Sequence, residues 1–188
     1  MIITISGNIA SGKSTAGAAL AKKLGFKHYS TGEFMRTIAK EKGISMHELA
    51  KIAEESNEID KILDEWTIDL GKTKDNFIID CRLGWYFIPK SFKIYLFVSK
   101  DDQLRRIKLD LSKKRRGEEY LKDREQTDKE ILDKVKERED SEAKRYMKYY
   151  NIDYRKKELY DLWLNTDGMT IDGCAEEIKR ILKEKGLA

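Results

Sequence analysis

An α/β fold, a parallel sheet covered by helices on both faces, is predicted by three features of the chain. Short β-branched or aromatic runs alternate with longer stretches whose apolar residues recur at helical spacing. The first such run, Met1-Ile-Ile-Thr-Ile-Ser6, leads straight into Gly7-Asn8-Ile9-Ala10-Ser11-Gly12-Lys13-Ser14, which has the G-x-x-x-x-G-K-S spacing of a P-loop. A later apolar run, Phe77-Ile-Ile-Asp80, ends in a carboxylate, as a Walker-B strand does. Together they predict a P-loop NTPase three-layer sandwich on a five-stranded parallel sheet, with ligands at the carboxyl ends of the strands. The strand ends at Ser6, Ser30 and Asp80 are therefore expected to cluster.

Each element follows from local signals. After the strand at 1–6, a helix over 13–24 carries Ala16, Ala19, Leu20 and Leu24 on one side and stops at Gly25. Lys27–Ser30 is a short strand, and Thr31-Gly32 opens a helix to about Lys42. Ser45-Met-His-Glu48 is a capping box for the next helix, and another helical pattern runs from about Glu58 to Leu70. Asn76–Asp80 and Phe92–Ser99 are strands, the latter the strongest in the chain. Asp101-Asp102 starts a helix to about Leu111, and Lys113-Lys-Arg-Arg-Gly117 is a basic break. Thr127-Asp-Lys-Glu130 is a second capping box, heading a long charged helix to about Tyr150. Tyr160–Asn165 is the last strand, and 171–185 form an amphipathic helix.

Composition narrows the class. The 188 residues suit one domain, large enough to bury roughly 70% of the unfolded surface. No apolar run reaches membrane-spanning length, and the N-terminal apolar stretch meets the P-loop too soon for a signal peptide. The 38 basic and 34 acidic residues are interleaved, which describes solvated helix faces and argues against a nucleic-acid track. Cys81 and Cys174 lack metal spacing and suit a reducing, cytoplasmic setting. His28 and His47 are isolated and read as ordinary surface residues; neither can build a zinc site.

The chemistry is that of a triphosphate site. Backbone N–H groups of Gly7 through Thr15 would cradle phosphates, Lys13 would reach the β- and γ-phosphates, and Ser14 with Asp80 would hold Mg²⁺. Arg82, two residues beyond Asp80, is placed at the mouth of the site to grip an acceptor phosphate. On the long helix, Arg138 and Arg145 stand two turns apart on one face, with Glu142 at i,i+4 from Arg138. Arg115 and Arg116 precede Gly117 in a break that suits a hinged lid. Trp85, Tyr86 and Phe87 cap the core or stack on a base; Trp66 and Trp163 read as packing residues. A GTPase is excluded, since the chain has neither an N-K-x-D base reader nor a D-x-x-G switch.

Four segments, Gly7–Ser14, Ser30-Thr-Gly-Glu-Phe-Met-Arg36, Asp80-Cys-Arg82 and Glu137-Arg-Glu-Asp-Ser-Glu-Ala-Lys-Arg-Tyr146, resemble a nucleoside monophosphate kinase, closest to the archaeal-type cytidylate kinase. The likeness runs in order along nearly the whole chain. It implies ATP and Mg²⁺ as cofactors, a nucleoside monophosphate, CMP or dCMP, as the small-molecule acceptor, and a cytoplasmic monomer. It assigns Arg36 and Arg82 to the acceptor phosphate, and Arg115, Arg116, Arg138 and Arg145 to the lid and its following helix. The implied division is a core at about 1–30, 73–111 and 151–188, an acceptor-binding arm at about 31–72, and a lid with its following helix at about 112–150. The stretch Glu54–Asp64 is the expected wall of the base pocket, where a carboxylate would accept from the cytosine amino group. One departure is Cys81, where the family favours a glycine between its carboxylate and arginine. Two alternatives stay open: a P-loop kinase for another monophosphate or small anionic metabolite, and a non-kinase regulatory protein that binds ATP.

Overall fold

The computed structural model describes residues 1–112 and 127–187. Five strands, β1 (Ile2–Gly7), β2 (Lys27–Ser30), β3 (Phe77–Asp80), β4 (Phe92–Phe97) and β5 (Leu162–Asn165), form one parallel sheet in the order β2-β3-β1-β4-β5. Eight helices accompany them among the described residues: α1 (Lys13–Leu24), α2 (Thr31–Lys42), α3 (Met46–Glu55), α4 (Glu58–Thr73), α5 (Gly84–Phe87), α6 (Lys100–Ser112), α7 (Asp128–Tyr150) and α8 (Ile171–Glu184). The short α5 and a 3₁₀ turn at Lys157–Leu159 carry no periodic signal, being too brief to show one.

Burial on both faces explains why β1 reads as an unbroken apolar run: all six of its residues are buried. Its odd-numbered side chains, Ile3 and Ile5, join Ile78, Ile94 and Leu96 against Leu20 of α1 and Ile178 and Leu182 of α8. On the opposite face Ile2, Phe77 and Ile79 meet Leu70 of α4 and Ile88. Further along that face Leu83 and Tyr95 pack with Ala143 of α7 and Tyr154. Helix, sheet and helix thus make the three layers. Trp163 stacks on Tyr95 at 3.9 Å between ring centres, and Trp66 stacks on Phe34 at 4.6 Å, so both tryptophans pack as expected.

Helices α2 to α4 hold a small core of their own, with Ile38, Ala39, Leu49, Ala53 and Ile59 buried together. The expected capping boxes close at Ser45–Glu48 and at Thr127–Glu130. The basic break after α6, with Arg115 and Arg116, lies outside the described residues.

Candidate active site

The phosphate loop joins β1 to α1 at the carboxyl edge of the sheet. Gly7 has φ +150°, and a Cβ there would stand 2.0 Å from the Leu96 carbonyl oxygen, so only glycine lets β1 leave the sheet this tightly against β4. Helix α1 starts after Gly12 with no side-chain cap, which leaves its N-terminal amides and dipole to an anion.

Neighbouring elements brace the loop from outside. The Asn8 amide donates to the Val98 carbonyl at 2.9 Å and accepts from the Val98 N–H at 3.1 Å. Gln103 of α6 donates to the Ile9 carbonyl at 2.8 Å, Arg106 to that of Ala10 at 3.2 Å, and Thr166 to that of Ser11 at 3.1 Å. The Ile9 N–H donates to Glu139 of α7 at 2.6 Å, and its side chain packs with Ile107, Ile131 and Val135. Carbonyls are thereby turned outward to fixed donors.

Lys13 donates to the Gly7 and Asn8 carbonyls at 3.0 and 2.7 Å. Burial, then the nearby Arg82 charge, pushes its pKa well below the ordinary lysine value, against the opposing pull of Asp80, Glu142 and Glu139.

Asp80 closes the other side. Its Oδ1 accepts from Ser14 at 2.8 Å and from Ser30 at 3.0 Å, and its carbonyl accepts from Thr31 at 3.1 Å. Ser6 donates to the Cys81 and Arg82 carbonyls at 2.9 and 2.8 Å, so the strand ends at Ser6, Ser30 and Asp80 do converge. The expectation for His28 is overturned. Its side chain is only 15% exposed, and Nε2 lies 3.0 Å from Asp80 Oδ2. The reason is register: β2 pairs His28 with Ile78 and Ser30 with Asp80, so both polar residues fall on the α1 face.

The acceptor arginines are unevenly placed. Arg82 is partly buried, donating through Nη1 to the Gly7 carbonyl and through Nε to Glu142 at 2.7 Å. Burial opposes its charge, but the Glu142 carboxylate more than offsets that and holds the guanidinium firmly charged. Burial likewise opposes ionisation of Glu142, yet Arg82 and Arg138 hold it down to about 2. The predicted Arg138–Glu142 pair is present at 3.3 Å, but Arg82 is the shorter contact. Arg145, on the same helix, pairs with buried Asp60 of α4 at 2.7 Å. Burial raises Asp60 above the ordinary range despite Arg145, and raises neighbouring Asp64, which accepts from Tyr150, to about 6. Arg36 sits on α2 with its guanidinium over Gly32, beside the Ser30 that bonds Asp80.

The model of the Cytidylate kinase-like family matches residues 2–168. The chain belongs to that family. Cytidylate kinase of Natronomonas pharaonis is 39% identical over 92% of this chain and 84% of its own length. That of Archaeoglobus fulgidus is 32% identical over 98% of this chain and 96% of its own. Among solved structures, shikimate kinase of Bacteroides thetaiotaomicron superposes with a TM-score of 0.67 over 97% of this chain and 98% of that one, at 16% identity. Shikimate kinase of Aquifex aeolicus gives 0.60 over 100% and 99%, at 19% identity. At such identities these two structures establish the shared P-loop kinase fold alone.

Family membership does not by itself sort the residues; the geometry does. Lys13, Ser14, Asp80 and Arg82 converge around the phosphate loop, and Arg138 joins them through Glu142. Arg145 does not reach that cluster directly: it serves the α4–α7 seam with Asp60 and Asp64. Three contacts were not anticipated from the sequence: His28 with Asp80, Glu139 with the Ile9 N–H, and Glu142 with Arg82. Only the alternation of polar residues His28 and Ser30 along β2 carried a hint.

Proposed function

We propose that the chain transfers the γ-phosphoryl group of ATP to CMP or dCMP, giving ADP and the cytidine diphosphate. The observation that carries this is the presence of two cation sets at one sheet edge, which share only the Gly7 carbonyl. Lys13 belongs to the phosphate loop, while Arg82 and Arg138 share a carboxylate on α7 across from it. A second set of cations beside the loop is what a second phosphate-bearing substrate calls for.

In this reading the loop amides and Lys13 hold the donor phosphates, and Arg36 and Arg82 hold the acceptor phosphate in line with them. The acceptor oxygen is already anionic, so no protein base has to remove a proton. Arg138, and Arg115 and Arg116 beyond the described residues, would offset charge on the transferring group. Ser14 and Asp80 fit a Mg²⁺ ion. They supply a hydroxyl and a carboxylate oxygen 2.8 Å apart, and the second carboxylate oxygen, which faces His28 Nε2 at 3.0 Å, has no hydrogen-bond partner among the described residues. Mg²⁺ commonly takes one carboxylate and completes its shell with phosphates and water, and when bound it would neutralise the donor oxygens.

The base reader is assigned to the seam where α4 meets α7. A guanidinium, Arg145, pairs there with the Asp60 carboxylate, and a second carboxylate, Asp64, accepts from Tyr150 nearby. Cytosine offers an amino donor beside a carbonyl acceptor, which matches carboxylate beside guanidinium; uracil offers two carbonyls and does not. The residues at 31–72 then act as the acceptor arm, and those at 112–150 as lid and following helix. Among the described residues no helix is long and apolar enough to cross a membrane; we place the enzyme in the cytoplasm, working as a monomer.

Calorimetry on two variants tests the assignment. Arg36→Ala should weaken CMP by roughly 10- to 150-fold, the value of a charge-assisted contact, while ATP affinity holds. Lys13→Ala should abolish turnover while CMP still binds. An Arg36→Ala protein that binds CMP like the parent would remove the acceptor assignment.

A further inference from the structure

His28 reaches the site, yet none of the roles above uses it. Its Nε2 lies 3.0 Å from Asp80 Oδ2; both atoms are buried and neither has a hydrogen-bond partner among the described residues, and the two side chains are 15% and 7% exposed. The opposite oxygen, Oδ1, is turned to Ser14 and Ser30. The carboxylate thus accepts from Ser14 of α1 and Ser30 of β2 on one oxygen and meets His28 of β2 on the other.

Helix α1 makes room for this contact. A Cβ at Gly17 would lie 3.0 Å from His28 Nε2 and 3.3 Å from its Cδ2. Glycine is unfavourable inside a helix relative to alanine, and Gly17 is a buried mid-helix residue. A side chain that only filled space could sit elsewhere over this face, which is otherwise lined by Ile5, Ala16 and Leu20. Instead a glycine stands where the imidazole comes up against α1.

We propose that His28 is a positioning residue for Asp80. By holding Oδ2, it fixes the rotation of the carboxylate so that Oδ1 stays directed at Ser14, the pair that would receive Mg²⁺. The inference rests on the proposed metal role of Asp80. Residues that orient a metal ligand commonly change metal affinity by 10- to 100-fold when removed, with little effect on what the metal does not touch.

The test compares binding of the β,γ-imido analogue of ATP with Mg²⁺ and with EDTA, by calorimetry, on the whole protein. The ratio of the two affinities isolates the metal's contribution. His28→Leu should lower that ratio about tenfold while leaving the affinity in EDTA as in the parent. A merely structural role would move both affinities together and leave the ratio alone. His28→Gln, whose amide nitrogen can reach the same oxygen, should restore most of the ratio. Gly17→Ala, which presses a methyl group on Nε2, should lower it as His28→Leu does, and decides the matter should His28→Leu not fold. Asp80→Asn separates the two layers. If Asp80→Asn lowers the ratio and neither His28→Leu nor Gly17→Ala does, the role of His28 is refuted and the metal site stands. If Asp80→Asn matches the parent, the metal site itself is refuted and the role of His28 with it.

Discussion

Replacing Glu142 by glutamine keeps the shape of the side chain and removes the charge that Arg82 and Arg138 share. In the folded chain that carboxylate titrates near 2 rather than at the ordinary 4.5, because the two guanidinium groups outweigh its burial. A shift of that size corresponds to about 3 kcal/mol of folding stability at neutral pH. The side chain is only 13% exposed, so solvent screening takes little of it away. The folded value lies below the unfolded one, so the contribution is complete above pH 4.5 and disappears as pH falls toward 2. Glu142→Gln should therefore be about 3 kcal/mol less stable than the parent at pH 7 and about 1.5 kcal/mol less stable at pH 3. Urea unfolding of both proteins across that range measures the difference directly, since every other titrating group is common to the two. A gap that stayed constant from pH 7 to pH 3 would show that Glu142 acts through packing and hydrogen bonding alone, and would refute the charged Arg82–Glu142–Arg138 link.

The seam between α4 and α7 makes two further predictions. Asp60→Asn should lower kcat/KM for CMP about tenfold or more relative to UMP, because the amide no longer offers only acceptors to the cytosine amino group; unchanged preference would place the base reader elsewhere. Asp64 titrates near 6, above the ordinary 3.8, so its ionisation between those values destabilises the fold. Asp64→Asn should consequently raise the melting temperature at pH 7.5 and leave it unchanged at pH 3.5; the partial exposure of this group keeps the gain small.

Much of this was legible in the residues themselves. The P-loop spacing, the β-branched runs and two capping boxes are local signals, and each marks a structure that forms where the signal lies. The convergence of Ser6, Ser30 and Asp80 followed from one topological rule, that parallel strands present their carboxyl ends together. What escaped depends on pairings between distant segments. His28 looked like an isolated surface residue because its partner is 52 positions away in sequence, supplied by the β2–β3 register. Glu142 looked like half of an ordinary helical ion pair, and its stronger bond to Arg82 spans 60 positions. Asp60 and Asp64 stood among several carboxylates in a charged stretch, and only the approach of α7 singles them out.

The central claim is that this site moves a phosphoryl group to a cytidine monophosphate, and a coupled assay of ADP release over CMP, dCMP, UMP, AMP and GMP tests it most directly. CMP or dCMP should accelerate ATP consumption far above the rate without acceptor, with UMP weaker and the purine monophosphates weakest. ATP consumption that none of the five accelerates would contradict the kinase assignment and leave a P-loop protein that binds ATP for another purpose.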